Sequence, residues 1–168
     1  MPDRKTLERA QQDKRDGKSP STQAGEFVRE EIHHVRQGKH GARSPQQAIA
    51  IGLSKARRAG IEVKPPARGR TSESTRRKAE RDYERGHAGS SRHTSARRHA
   101  AASRALKREP QRSASRHSLS VQARAASGRR SAAQRSAAAR QASHTKGRAA
   151  RSAAAKKAAR TRARRRRA

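Results

Sequence analysis

GEFVREEIHHVRQGKHGARSPQQAIAIGLSKARRAG, residues 25–60, is the stretch on which the fold turns. With Ala24 just before it, Phe27 or Val28, Ile32 and Val35 recur at three- and four-residue spacing, the stripe of one helix face. This helix is expected over about 22–37, starting near Ser21 or Thr22 and stopping at Gly38. Ser44 then offers an N-cap, Pro45 suits the first helical position, and Gln47 stands where a capping box wants Glu or Gln. Ala48, Ile49, Gly52, Leu53 and Ala56 form the next apolar face, over about 45–59, with Gly60 as the stop. The connection at 38–44 suits a helical hairpin. Phe27, Val28, Ile32 and Val35 are expected to pack on Ile49 and Leu53.

Outward from this pair the signals thin. Ile61 and Val63 are expected to fold back on the hairpin before Pro65-Pro66 forces extended chain. A third helix is expected over about 72–85, with Ala79 and Tyr83 four apart and exposed opposite charges among Glu73, Arg77, Glu80, Arg81 and Glu84. Residues 1–20 read as a polar, flexible segment with helical character near 3–15, where Leu7 is the one sizeable apolar residue. The module, residues 21–86, is thus a helical hairpin or three-helix unit. Its small core lies near the limit for unaided folding, so order is expected to draw on a partner or on self-association.

Composition sets the rest. Only 29% of the 168 residues are hydrophobic, and Phe27 and Tyr83 are the sole aromatics, so a large core is excluded. The absence of Cys removes disulfides, Cys-ligated zinc and a Cys nucleophile. No apolar run is long enough for a membrane span, and the first residues lack the apolar region of a secretory signal. A cytoplasmic, nucleoid-associated protein is the expectation.

The formal net charge is +32, and residues 87–168 hold 24 Lys and Arg against the single acid Glu109. Their only large aliphatic residues are Leu106, Leu119 and Val121. Such a segment is expected to be a largely disordered polycationic tail, entered through a linker at Gly86–Ser91, that gains helix only on DNA. Short Ala/Ser/Arg units recur in it, as in Ser131–Arg135 and Ser136–Arg140. Its chemistry suits neutralising the phosphates of DNA, or of RNA, with no base reading. The cations expected to do so are Arg97, Arg98, Arg129, Arg130, Lys156, Lys157, Arg160, Arg162, Arg164, Arg165, Arg166 and Arg167.

Two further sets lie in the module. Lys39 and Arg43, flanking Gly41 ahead of the 45–59 helix, are candidates for a single phosphate seat at its N-terminus. Lys55, Arg57 and Arg58 would face DNA if the pair acted as a helix–turn–helix, although the connection is long for that motif and the cations sit at the C-terminal end. Glu30, Glu31, His33, His34 and His40 invite a metal reading, but their order matches neither His-Glu-x-x-His nor its inverse, so no metal site is expected. No nucleophile–base set and no phosphate-binding Gly-rich fingerprint stands out, so neither an enzyme, a cofactor nor a small-molecule substrate is expected. An interaction module that the tail localises to nucleic acid is the alternative.

Residues 25–60 resemble an uncharacterised family of small basic bacterial proteins, known as a domain of unknown function. In that family a similar helix–loop–helix precedes a Pro-containing stretch and a Lys/Arg-rich tail. The resemblance spans about residues 22–85 and implies no activity or site residue. In composition the tail is similar to linker-histone C-terminal domains and bacterial histone-like proteins. With only Lys107, Lys146, Lys156 and Lys157 among its cations, it is nearer protamine in charge chemistry.

Overall fold

Local signals place the first helices close to where the sequence puts them. The computed structural model describes residues 2–88 and 95–166, without the side chains of Thr145 and Lys146. In it, α1 spans Arg4–Arg15, α2 Pro20–Arg36, α3 Pro45–Arg58 and α4 Glu73–His87. Pro20 and Pro45 each open a helix, where a missing N–H is not needed. Ser44 Oγ accepts from Gln47 N at 3.2 Å, and Gln47 Oε1 accepts from Arg43 N at 2.7 Å, a close variant of the capping box. Gly38 and Gly60, with φ of 72° and 80°, end α2 and α3. At α2, Lys39 N bonds His34 O and Gly38 N bonds Val35 O. At α3, Ile61 N bonds Ala56 O and Gly60 N bonds Arg57 O, the paired bonds of a Schellman stop.

Residues up to Gln122 form one compact unit and those from Ala123 a second. In the first, α2 packs most extensively on α3, with α4 on α3 and α1 on α2. The closeness of α2 and α3 depends on Gly52, where a Cβ would lie 2.6 Å from Val28 Cα. One buried cluster joins Ala10, Ala24, Phe27 and Ala56, covered by Leu7, Leu53, Ile61 and Val63. Phe27 thus meets Leu53 as the spacing predicts, and Ile61 and Val63 do return to the pair. The helical character expected near 3–15 is present as α1, which packs on α2. The other cluster joins Ile32, Val35, Ala42, Ala48 and Ala114, covered by Val28 and Leu119. Ile49 remains only partly buried.

The expectation of a helical module followed by a disordered tail is overturned. The chain is 76% helical and folded over nearly its whole length. Beyond α4 come α5 (Ala96–Lys107), a 3-10 turn at Arg112–Ala114, α6 (Arg116–Gly128) and α7 (Ala132–Arg166). Two physical terms explain the error. Ala and Arg rank near the top of intrinsic helix propensity, and over long runs that preference accumulates. Serines also cap these helices: Ser115 Oγ accepts from Ser118 N at 3.1 Å, and Ser131 and Gln134 form a reciprocal box with bonds of 3.2 Å. Within α7 the helix breaks at Gly147, with φ 62° and ψ 167°. Of the expected linker, Gly86 and His87 belong to α4, and 89–94 lie outside the described residues.

The basic sequence also enters the core. Ala114 is fully buried beside Ile32 and Val35. Gly41 N donates to Leu106 O at 2.8 Å, Ala42 N to Pro110 O at 3.1 Å, and Arg36 Nε to Ala114 O at 2.8 Å. Gly41 is needed because a Cβ there would collide with the carbonyl of Glu109. Part of the burial that the hairpin lacks by itself therefore comes from residues 106–119 of the same chain.

Candidate nucleic-acid interface

The cations singled out in the sequence separate into spent and available groups. Lys55, Arg57 and Arg58 are spent on the fold. Lys55 Nζ lies 2.6 Å from Glu31 Oε2 and 3.6 Å from Glu30 Oε1, beneath the surface. Arg57 is buried, and its Nε and Nη2 donate to Val63 O at 2.9 Å and Lys64 O at 3.4 Å. That burial pushes its guanidinium below the ordinary arginine value. Arg58 Nη1 pairs with Asp82 Oδ1 at 3.4 Å. A helix–turn–helix that reads DNA through these three would have to break the contacts that hold α3 in place.

Lys39 and Arg43 are exposed, and neither is ion-paired among the described residues. The seat between them is largely filled from within. Gly41 N and Ala42 N bond the chain at Leu106 and Pro110, and Gln47 N and Arg43 N are taken by the Ser44–Gln47 cap. Few backbone donors remain there for a phosphate. Gly41, which in the sequence suggests close approach of a ligand, instead admits the Glu109 carbonyl.

The second unit holds a dense share of the available charge. No Asp or Glu follows Glu109, so the second unit supplies no side-chain carboxylate of its own to pair with its cations. Arg129 and Arg130 lie between α6 and α7, while Lys156, Lys157, Arg160, Arg162, Arg164, Arg165 and Arg166 lie on α7, and all are exposed. At 100° per residue, these α7 positions together with Arg148 and Arg151 point to every side of the helix. From Arg148 to Arg166 the helix is about 28 Å long, at about 1.5 Å per residue. It carries no apolar stripe, and no helix of the described residues is long and apolar enough to cross a membrane. Arg97 and Arg98 are exposed on α5, in the first unit. Arg167 lies outside the described residues.

The cations chosen from the sequence pass over equally exposed ones: Arg104, the pair Lys107 and Arg108, Arg112, Arg116, Arg124, Arg135 and Arg140. For those after Glu109 the signal that finds them is the absence of acids, which applies to each as much as to the doublets. The sequence reading also misses the gathering of Asp3, Glu30, Glu31, His34, His40 and Lys55 into one polar group around the two buried glutamates. His33, considered with them, faces solvent. Compared with protein-family models, curated proteins and solved structures, the chain matches none.

Proposed function

We propose that this protein is a non-enzymatic, histone-like binder of nucleic-acid phosphates, acting on DNA of the nucleoid without regard to sequence. The observation that carries this reading is α7, a helix with cations on every side and no acidic neighbour in sequence. A helix is about 10–12 Å across with its side chains, and the major groove of B-DNA is about 12 Å wide. Alanine between the arginines keeps this helix slim, so it fits that groove while its cations reach phosphates on both walls. Charge on all sides leaves no single face to set against base edges. It also lets one helix touch two duplexes, which favours bridging and compaction. Arginine suits this task because its planar fork takes phosphate in a bidentate way.

The test is binding to duplex DNA at a series of salt concentrations, with the full chain compared with residues 1–122. About ten phosphate contacts give a log–log salt slope near −9. The full chain is expected to approach that slope, and 1–122 to bind more weakly with a shallower one. A full-chain slope shallower than about −3 contradicts counterion release as the driving force, and equal affinity of the two proteins contradicts the role of the second unit. Structured RNA in the same series separates the alternative partner. Tighter binding to RNA at equal salt would replace DNA with RNA in this reading.

A further inference from the structure

In a chain of net charge +32, the least expected feature is a buried group of carboxylates. The side chains of Glu30 and Glu31, adjacent on α2, are only 3% and 1% exposed. Asp3 closes over them from ahead of α1, its N–H donating to Glu30 Oε2 at 3.2 Å. Lys55 of α3 is the one permanent cation among them. With both buried carboxylates ionised against Lys55 the buried part carries a net charge of −1, and Asp3, its side chain 58% exposed, adds a further carboxylate at the rim. Net charge held away from water is costly unless something of opposite sign joins it.

Two histidines stand where that charge is felt. His40 Nδ1 lies 3.0 Å from Gly41 O, a contact that works only if the nitrogen carries the proton. In the neutral ring Nε2 then bears a lone pair, and it sits 3.0 Å from Glu31 Oε1, acceptor against acceptor. His34 Nε2 is buried without a hydrogen bond, 3.5 Å from Asp3 Oδ2 and 3.9 Å from Glu30 Oε1. Glu30 Oε1 and Glu31 Oε2 are also buried without a hydrogen bond, and meet Lys55 Nζ as ion pairs at 3.6 and 2.6 Å. Lone pairs of His34, His40, Glu30 and Glu31 thus converge around a single ammonium, that of Lys55.

We propose that this group is a binding site for one divalent transition-metal ion of the zinc class, held by His34, His40 and Glu31, with Glu30 or Asp3 completing the set. Ligand atoms of Glu31, His34 and His40 lie within 4.8 Å of one another, and so do those of Asp3, Glu30 and His34. His40 Nε2 to Glu31 Oε1 is 3.0 Å, and His34 Nε2 to either candidate fourth ligand, Asp3 or Glu30, is 3.5 or 3.9 Å, against an edge of about 3.4 Å for a tetrahedron with zinc–ligand bonds of about 2.0–2.1 Å. Imidazole with carboxylate, and no thiolate, suits zinc and its neighbours rather than magnesium or calcium. A charge of +2 brings the group to neutrality. The His40 Nδ1–H to Gly41 carbonyl bond is the outer contact that orients a metal-bound imidazole, and Lys55 stays as the charge partner of Glu31. The ion would tie the start of the chain to α2 and to the loop at 38–44. That loop receives Leu106 and Pro110, so the ion would also set the seat on which the basic segment docks.

Calorimetric titration of chelator-treated full-length protein with zinc chloride tests the site. One equivalent is expected to bind and to raise the melting midpoint. The double variant His34→Asn/His40→Asn should bind at least about tenfold more weakly, whereas His117→Asn, at an exposed histidine of α6, should bind as the parent does. A readout on the unaltered protein covers the case in which the double variant does not fold. One equivalent of cobalt(II) is expected to give the strong visible absorption of a tetrahedral site, removed by one equivalent of zinc. The absence of saturable one-to-one binding, loss of binding in His117→Asn, or a cobalt spectrum no different from that of the ion in buffer overturns the proposal.

Discussion

Arg57 is a cation of a basic chain that binds the chain itself. Its guanidinium lies under the surface and caps the carbonyls of Val63 and Lys64 after the Gly60 turn. Arg57→Ala would leave these acceptors without their donor, at a cost of about 1–3 kcal/mol. Urea denaturation of the full chain should show that loss as a lower midpoint, while the salt slope of DNA binding stays unchanged. A shallower slope with unchanged stability would place Arg57 on the nucleic acid instead. Nothing in the local sequence separates Arg57 from Arg58 beside it. One residue of helix rotation turns the first inward and leaves the second half exposed beside Asp82. By contrast, the roles of Ser44, Gln47, Gly38 and Gly60 are legible, because each acts on backbone within five residues of itself.

At the scale of elements, α4 carries a clear pH signature. Arg76 and, less strongly, Arg77 hydrogen-bond Glu73 at the first turn and hold its carboxyl at about 2, below its ordinary 4.5. A carboxyl lowered in the folded state lends full stability above pH 4.5 and loses it as the pH falls toward 2. Acid titration followed by circular dichroism is expected to show helix loss in that window, and Glu73→Gln should flatten it. An unchanged acid limb in the variant would mean that the pairs contribute nothing measurable, as exposed pairs often do. The helices of the basic half were legible in part. The box Ser131-Ala132-Ala133-Gln134 and the Ala/Arg composition both favour helix, against the repulsion among the cations. Repulsion acts through water and is screened, whereas propensity and caps act at contact distance.

For the whole molecule, the compact unit reaches well into the polycationic sequence. Residues 1–88 alone would lose Ala114 and Leu119 from the core, with the bonds to Leu106, Pro110 and Ala114. Each of those bonds is worth about 1 kcal/mol net. The fragment 1–88 is therefore expected to melt several degrees below 1–122 in a thermal scan. Equal midpoints would show that the docked segment adds nothing. The sequence by itself determined the helical character, the positions of α2 and α3 to within about two residues, and the charge of the second half, where Glu109 is the single acid. All of these follow from composition or from contacts within one helical turn. Only the tertiary structure decided which cations are spent, which alanine of many enters the core, and that two glutamates, two histidines and a lysine meet. Those outcomes depend on pairings as distant as the 78 residues between Arg36 and Ala114. In a chain rich in alanine and arginine, residues of one type look alike until packing gives each a different neighbour.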